Sequence, residues 1–237
     1  MLWVDKHRPK NLASLSYQDD TTERLKSLAA DPSSLPHLLF YGPSGAGKKT
    51  RIASLLKEIF GAGTERLRLD KRTFTTSTNR SVDVNMICSN FHIELNPGDA
   101  GIYDRFVVQD VIKEMAANKS LNSGGGILGS ADQSKKASVA EYKVVVLMEV
   151  DKLTRQAQAA LRRTMEKYSS TCRLILCCNN QSKVIDPVRS RCLGIRIAAP
   201  SHDDVSYMLL QIHIRSIMID SLTSSLLPVT PTSRFVM

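Results

Sequence analysis

A glycine-rich segment near residue 45 carries the clearest chemical signal in this sequence. It follows the pattern G-x-x-x-x-G-K, with an apolar run before it and a helical pattern after it. Glycines let the backbone turn tightly and point N–H groups inward, and the N-terminus of the following helix adds about half a positive charge. The pattern therefore predicts a loop that binds nucleotide phosphates, here called the phosphate loop. Its residues are Gly42, Pro43, Ser44, Gly45, Ala46, Gly47, Lys48, Lys49 and Thr50.

Two positions that would bind Mg²⁺ beside such a loop hold other side chains. A Ser or Thr hydroxyl is expected directly after Lys48, but Lys49 stands there. A second apolar strand should end in a metal-binding Asp, and the matching position in this sequence is Met148, followed by Glu149. Neither an ammonium group nor a thioether is a ligand for Mg²⁺, which prefers oxygen. We therefore expect ATP or ADP to bind with weak or no Mg²⁺, and Glu149 to be a vestigial catalytic residue.

Strands and helices that alternate along the chain must position these residues. This alternation predicts an α/β fold with a parallel β-sheet flanked by helices. Weak alternation of polar and apolar residues over 67–87 adds a possible hairpin. Apolar runs predict strands at 38–41, 91–95, 143–148, 173–178 and 193–197, and apolar spacings of three and four predict helices from 48, over 104–115 and over 154–168.

The pattern changes twice along the chain. Residues 118–140 are rich in glycine, serine and lysine, which predicts a flexible surface insertion within a nucleotide-binding domain at 1–200. A helix could begin near Asp203, but residues 212–237 contain two prolines and lack a sustained apolar period. We expect 201–237 to form a partial helix followed by an irregular tail.

Composition excludes several classes of protein. The 237 residues are 42% hydrophobic and 23% charged, which is typical of a globular chain. The longest apolar run, Val144–Met148, is far below the roughly 20 residues that span a bilayer, and no apolar leader is visible. No membrane partner is expected. Five cysteines without metal-binding spacing predict reduced thiols and no metal site.

The net charge of +9 is concentrated in one part of the chain. The stretch from Lys143 to Arg196 holds eleven basic and four acidic residues. Clustered positive charge suits a polyanion such as nucleic acid or nucleotide, although a solvated surface explains it equally well.

Four segments resemble the small subunits of replication factor C, the eukaryotic sliding-clamp loader of the AAA+ family. Trp3–Pro9 resembles the N-terminal box W-V-[ED]-K-Y-R-P of that family, with His7 in place of Tyr. Pro36–Lys48 resembles its phosphate-loop box. Ala160–Glu166 and Ser190–Cys192 resemble two further boxes. The four segments are distributed over most of residues 1–200, from Trp3 to Cys192.

The departures from the family pattern are informative as well. Lys49 and Met148 resemble the one small subunit of the family whose own ATP site is degenerate. The resemblance implies a AAA+ P-loop NTPase fold with the start of a helical lid in 201–237. We expect no counterpart of the family's collar domain in residues 201–237.

The resemblance also implies roles for individual residues. Asn179 would contact the γ-phosphate, and Arg191 would be an arginine finger that acts on ATP held by a neighbouring subunit. Arg105 and Lys183 would contact DNA. The adenine would be surrounded by Val4, His7, Arg8 and Pro9.

The implied function is that of a subunit in a hetero-pentamer. The chain would bind other replication factor C subunits, the sliding clamp and primer–template DNA, and it would act in replication and repair in the nucleus. Two alternatives remain open. A self-sufficient P-loop ATPase or nucleotide kinase would need an oxygen ligand at Lys49 and at Met148, and a scaffold would bind no nucleotide at all.

Overall fold

A computed structural model gives the fold for residues 6–75, 81–117 and 142–225. These residues form two compact units. The larger unit is Arg8–Ala199, and the smaller one contains Lys6 and His7 together with residues from Pro200 onward. The insertion predicted at 118–140 lies outside the described residues, as does the sequence after Ser225.

One seven-stranded sheet forms the centre of the larger unit. Its strands are β1 (His37–Tyr41), β2 (Arg68–Thr75), β3 (Ser81–Cys88), β4 (His92–Leu95), β5 (Lys143–Leu147), β6 (Cys172–Cys178) and β7 (Cys192–Arg196). The order across the sheet is β2-β3-β4-β5-β6-β1-β7. Strands β4, β5, β6, β1 and β7 are parallel, whereas β3 pairs antiparallel with both β2 and β4. The predicted parallel sheet and the β2–β3 hairpin are confirmed, and the hairpin turn at 76–80 lies outside the described residues.

Helices cover both faces of this sheet. The helices of the larger unit are α1 (Asp19–Ala30), α2 (Lys48–Phe60), α3 (Asp104–Ala117), α4 (Arg155–Lys167) and α5 (Asp186–Arg189). The helices predicted from 48, from 104 and from 154 are confirmed. Thr154 caps the last of these, because its Oγ1 accepts a hydrogen bond of 3.2 Å from the backbone of Ala157.

Strand β5 shows how the sheet is buried. Val144 and Val146 belong to an apolar cluster that includes residues of α1 and α2. Val145 and Leu147 belong to a second cluster that includes residues of α3 and α4. Since alternate side chains of a strand point to opposite faces, both faces of β5 are covered, as expected for a central parallel strand.

The strand order places three loops at one edge of the sheet. Strand β6 lies between β1 and β5, and all three are parallel. Their carboxyl ends are therefore neighbours, and ligands of open α/β sheets bind at this edge. The loops concerned follow Tyr41, Leu147 and Cys178.

The smaller unit consists mainly of one helix, α6 (His202–Ser225). The expectation of an irregular chain from residue 212 is wrong for 212–225. Ser201 and Asp204 cap the start of α6 with reciprocal hydrogen bonds of 2.7–3.1 Å. No glycine or proline follows until Pro228, so nothing local stops the helix at 212. Within the described residues, no helix is both long and apolar enough to cross a membrane.

Candidate functional site

The phosphate loop connects β1 to α2 as the sequence predicts. The backbone φ of Gly47 is +77°, in the left-handed region, and α2 begins at the next residue. A Cβ atom at Gly42 would lie 1.9 Å from the carbonyl oxygen of Ile197, and one at Gly47 would lie 2.7 Å from the hydroxyl of Tyr17. Only glycine fits at position 42, because the obstacle there is backbone.

Lys48 is the central side chain of the loop. It is 8% exposed, and its Nζ donates to the carbonyl oxygens of Gly42 and Pro43, each at 2.7 Å. A third bond of 2.8 Å reaches Oδ1 of Asn179, directly after β6. The fold thus brings together the two side chains for which phosphate contacts were predicted, although 131 positions separate them in the sequence.

Lys49 forms an ion pair with Glu94 of β4. The Glu94 side chain is 17% exposed, whereas that of Lys49 is 49% exposed. Sequence reasoning missed Glu94, although a lone acid in the apolar run at 91–95 was a usable signal. Glu94 lies opposite Val146 in the sheet, so both side chains face α2.

Met148 packs against the apolar cluster on the α2 face of the sheet. Its backbone N–H donates to the carbonyl oxygen of Leu95 at 2.9 Å, which continues the pairing of β5 with β4. A thioether packed in this way provides no oxygen ligand. The two positions expected to bind Mg²⁺ thus hold a paired ammonium group at Lys49 and a packed methionine.

Glu149 is held by two neighbours that sequence reasoning also missed. Its Oε2 accepts a hydrogen bond of 3.2 Å from Nδ2 of Asn96 and pairs with Nζ of Lys152 at 2.9 Å. The bond to Glu149 is also the main reason why the pKa of Lys152 is raised. The backbone φ of Glu149 is +53°, which is uncommon for a residue with a Cβ and occurs here at the turn after β5.

Arg191 is bound to its own chain through three nitrogens. Its Nε donates to Oε1 of Glu166 at 2.9 Å, a second nitrogen pairs with the same oxygen, and a third donates to the carbonyl oxygen of Pro187 at 2.6 Å. The hydrogen bond from Arg191 is the main cause of the lowered pKa of Glu166. Arg191 therefore has a defined orientation at the protein surface, where its side chain is 30% exposed.

Helices α3 and α4 enclose an open groove of about 550 Å³, here called the arginine groove. Arg105 lines it together with Arg162 and Arg163. Buried Asp104 joins the starts of the two helices, because its carboxylate accepts bonds of 2.7 and 3.0 Å from Thr154. The full lining is Arg105, Gln109, Gln156, Ala159, Ala160, Arg162, Arg163, Glu166, Ile185 and Pro187.

Lys183, the other residue with an implied DNA contact, is exposed and does not line the arginine groove. Its backbone oxygen accepts a bond of 3.2 Å from Nε2 of buried Gln158. The same Gln158 accepts a bond of 2.9 Å from the backbone of Ile185. Gln158 thus fixes the turn that carries Lys183.

The implied adenine pocket stays a prediction. Val4 lies outside the described residues, and His7 belongs to the smaller unit. Arg8 and Pro9 are half-buried in the larger unit.

Comparison with known proteins shows what this chain is similar to. The family model described as "DNA polymerase III, delta subunit" matches residues 128–201. Replication factor C subunit 3 of Mus musculus is 50% identical over 208 residues, which are 88% of this chain and 54% of that protein. The chain is a homologue of the replication factor C small subunits. Its mostly parallel sheet with helices on both faces is consistent with the AAA+ clamp-loader fold that the resemblance implied.

Replication factor C subunits from a plant and a fungus show similar identity to this chain. Replication factor C subunit 5 of Oryza sativa is 50% identical over 212 residues, covering 88% of this chain and 56% of the relative. Replication factor C subunit 5 of Saccharomyces cerevisiae is 47% identical over 208 residues, which are 88% of this chain and 56% of that relative. The chain thus spans about half the length of the curated relatives that it matches.

Proposed function

We propose that this chain is an ATP- or ADP-binding subunit of the replication factor C clamp loader, with weak or no hydrolysis at its own site. It would assemble with other replication factor C subunits in a hetero-pentamer and support loading of the sliding clamp at primer–template DNA in the nucleus. The observation that carries this proposal is an intact phosphate loop beside two replaced metal ligands, Lys49 and Met148. The names of the relatives support the assembly.

The loop retains what phosphate binding needs. Lys48 is bonded to two carbonyl oxygens and one amide oxygen, all of them uncharged. Its positive charge is therefore not cancelled by these contacts and remains available to a phosphate group. The N-terminus of α2 adds backbone N–H donors at the same place.

Lys49 supports binding that does not depend on Mg²⁺. A lysine ammonium group can offset phosphate charge, and Glu94 restrains it next to the loop. Hydrolysis needs a metal that stabilises the charge on the transferred phosphoryl group, and neither Lys49 nor Met148 binds one. Glu149, held by Asn96 and Lys152, would then have no reaction to catalyse at this site.

Arg191 would act on ATP held by a neighbouring subunit. A guanidinium group placed there offsets charge that spreads over the phosphoryl oxygens during transfer. An arginine finger does not serve the nucleotide of its own chain, so it functions whether or not its own site hydrolyses ATP. In the isolated chain Arg191 is bonded to Glu166, and it must exchange at least part of this contact to reach a neighbour's phosphate.

Duplex DNA is the partner proposed for the arginine groove and Lys183. Arg105, Arg162 and Arg163 surround the groove. Glu166 is the only acid among the described residues of its lining, and it is paired with Arg191 and Arg162. Guanidinium groups bind phosphate oxygens without reading the base sequence. Such contacts fit a protein that must recognise a primer–template junction of any sequence.

Reconstitution of the hetero-pentamer with Arg191→Ala tests the proposal. We expect clamp- and DNA-stimulated ATP hydrolysis by the complex to fall at least about tenfold, since an arginine finger accounts for 10³-fold or more in related reactions. ADP binding by the isolated variant should stay unchanged. Arg189→Ala is the matched control, because Arg189 is nearby and forms an ion pair with Asp186.

The two alternatives give different results in the same assays. A self-sufficient ATPase would hydrolyse ATP as an isolated chain, and Glu149→Gln would abolish that activity. A scaffold would bind no labelled ADP in equilibrium measurements on the isolated chain. Full activity of the Arg191→Ala complex would contradict the arginine-finger role directly.

A further inference from the structure

Arg51 is a fully buried charge on the helix that follows the phosphate loop. Arg51 as a whole residue is 0% exposed to solvent. One terminal nitrogen donates to Oγ1 of Thr22 at 2.9 Å, and the other donates to the carbonyl oxygen of Tyr17 at 2.6 Å. A guanidinium group taken out of water is costly unless it is well bonded, and neither the Thr22 hydroxyl nor the Tyr17 carbonyl oxygen carries a negative charge. Such a costly arrangement suggests a role beyond packing.

Tyr17 connects Arg51 to the phosphate loop. The Arg51 guanidinium carbon lies 4.7 Å from the centre of the Tyr17 ring, a cation–π contact. The Tyr17 hydroxyl donates to the carbonyl oxygen of Ala46, in the middle of the loop. The same hydroxyl lies 2.7 Å from the place that a Cβ atom at Gly47 would occupy. Tyr17 therefore rests directly against the loop.

The contacts of Tyr17 and Arg51 form a continuous chain that begins and ends at the phosphate loop. The backbone N–H of Arg51 donates to the carbonyl oxygen of Gly47 at 3.0 Å, one turn earlier in α2. The loop thus contacts Tyr17, Tyr17 contacts Arg51, and Arg51 is bonded back to the loop through the first turn of α2. In a planar trans peptide, the C=O and the N–H point in opposite directions. The bond from Tyr17 to Ala46 consequently fixes the direction of the Gly47 N–H, a potential phosphate donor.

We propose that Tyr17 and Arg51 form a clamp that fixes the phosphate loop in the shape that binds nucleotide phosphates. Both are positioning residues, since they act through the backbone of Ala46 and Gly47. The proposal rests on nucleotide binding at this loop. It adds a determinant of phosphate affinity that lies outside the loop itself.

Tyr17→Phe is the mildest test, because it removes one hydroxyl group and keeps the ring beneath Arg51. We expect the affinity of the full chain for ADP to fall about 3- to 10-fold, the range that corresponds to one lost hydrogen bond. The affinity for inorganic pyrophosphate should fall by the same factor, because the clamp acts on the phosphate site and not on the base. Equilibrium titrations with both ligands measure these changes, and circular dichroism records the unfolding temperature.

Tyr142→Phe is a matched control. The Tyr142 hydroxyl also donates to a backbone carbonyl, that of Pro32, at 2.7 Å, but it lies away from the loop. The Tyr142→Phe variant should lower stability about as much as Tyr17→Phe does, while its affinity for ADP stays unchanged. If both variants lose stability alike and neither loses affinity, Tyr17 has only a structural role and the clamp is refuted.

Arg51→Lys keeps the charge but removes the planar fork that holds Tyr17. We expect it to weaken ADP binding, and the double variant with Tyr17→Phe should bind no more weakly than the worse single variant, because both act through one contact. Additive losses would contradict the clamp. If the unchanged chain binds neither ADP nor pyrophosphate, the proposed function fails and the clamp fails with it, whereas normal binding by Tyr17→Phe refutes the clamp alone.

Discussion

At the scale of single residues, the chemistry of this site depends on which atoms stand next to the phosphate loop. Among the described residues, the hydrogen-bond partners of Lys48 are uncharged oxygens, whereas Lys49 is paired with a carboxylate. Two adjacent lysines therefore have different electrostatic roles. We propose that the charge of Lys48 is available to a phosphate group, while the charge of Lys49 is partly offset by Glu94.

Glu94→Gln should tighten the binding of ADP about 2- to 5-fold at low salt. The change removes a negative charge near the phosphates and releases Lys49, and charges at this range act over about 10 Å before salt screens them. Isothermal titration at two salt concentrations measures the effect, which should shrink at high salt. Glu65→Gln is the control, since Glu65 pairs with Lys57 at the far end of α2. Unchanged or weaker binding by Glu94→Gln would show that Glu94 does not oppose the phosphates.

At the scale of elements, hydrophobic patterns predicted most strands and helices because apolar spacing reports directly on burial. Residues that depend on contacts between distant elements were missed. Glu94 and Asn96 matter only because β4 lies beside β5, an order that local sequence does not reveal. Arg51 looks like a solvent-exposed helix residue, and its burial becomes evident only when α1 packs against α2. The length of helix α6 was underestimated because its apolar residues show no clear helical period.

His37, at the start of β1, is expected to make the free energy of unfolding depend on pH. Nδ1 of His37 accepts a hydrogen bond of 3.1 Å from the backbone of Leu174 in β6, and burial is the main cause that lowers the pKa of His37 from 6.5. Burial likewise lowers the pKa of His92, at the start of β4. Because the folded-state pKa is lower than the unfolded one, the unfolded chain binds more protons below pH 6.5. Stability should therefore be complete above that pH and fall as the solution becomes more acidic.

Denaturant unfolding between pH 7.5 and about pH 5 measures this dependence. His37→Gln should flatten the decline in the free energy of unfolding, and His92 should account for part of what remains. His202→Gln is a suitable control because His202 is exposed at the start of α6. A decline of the same steepness in His37→Gln would rule out His37 as its source.

At the scale of the whole molecule, we propose that this chain keeps a nucleotide site and contributes Arg191 to the site of a neighbouring subunit. The phosphate loop, the missing metal ligands and the family could be predicted because they are continuous sequence motifs. The arginine groove could not be predicted as one surface, because its arginines come from α3 and α4 and meet only in the fold. The Arg191–Glu166 contact likewise joins two separate sequence boxes.

The dependence of ADP affinity on Mg²⁺ shows whether this site binds nucleotide without a metal ion. Equilibrium titration of the unchanged chain, with Mg²⁺ and with a chelator, should give dissociation constants within about twofold of each other, because neither Lys49 nor Met148 is a metal ligand. The double variant Lys49→Thr with Met148→Asp restores both oxygen ligands and should bind ADP about tenfold more tightly with Mg²⁺ than without it. If chelation weakens binding to the unchanged chain tenfold or more, a metal binds at this site and the account is wrong.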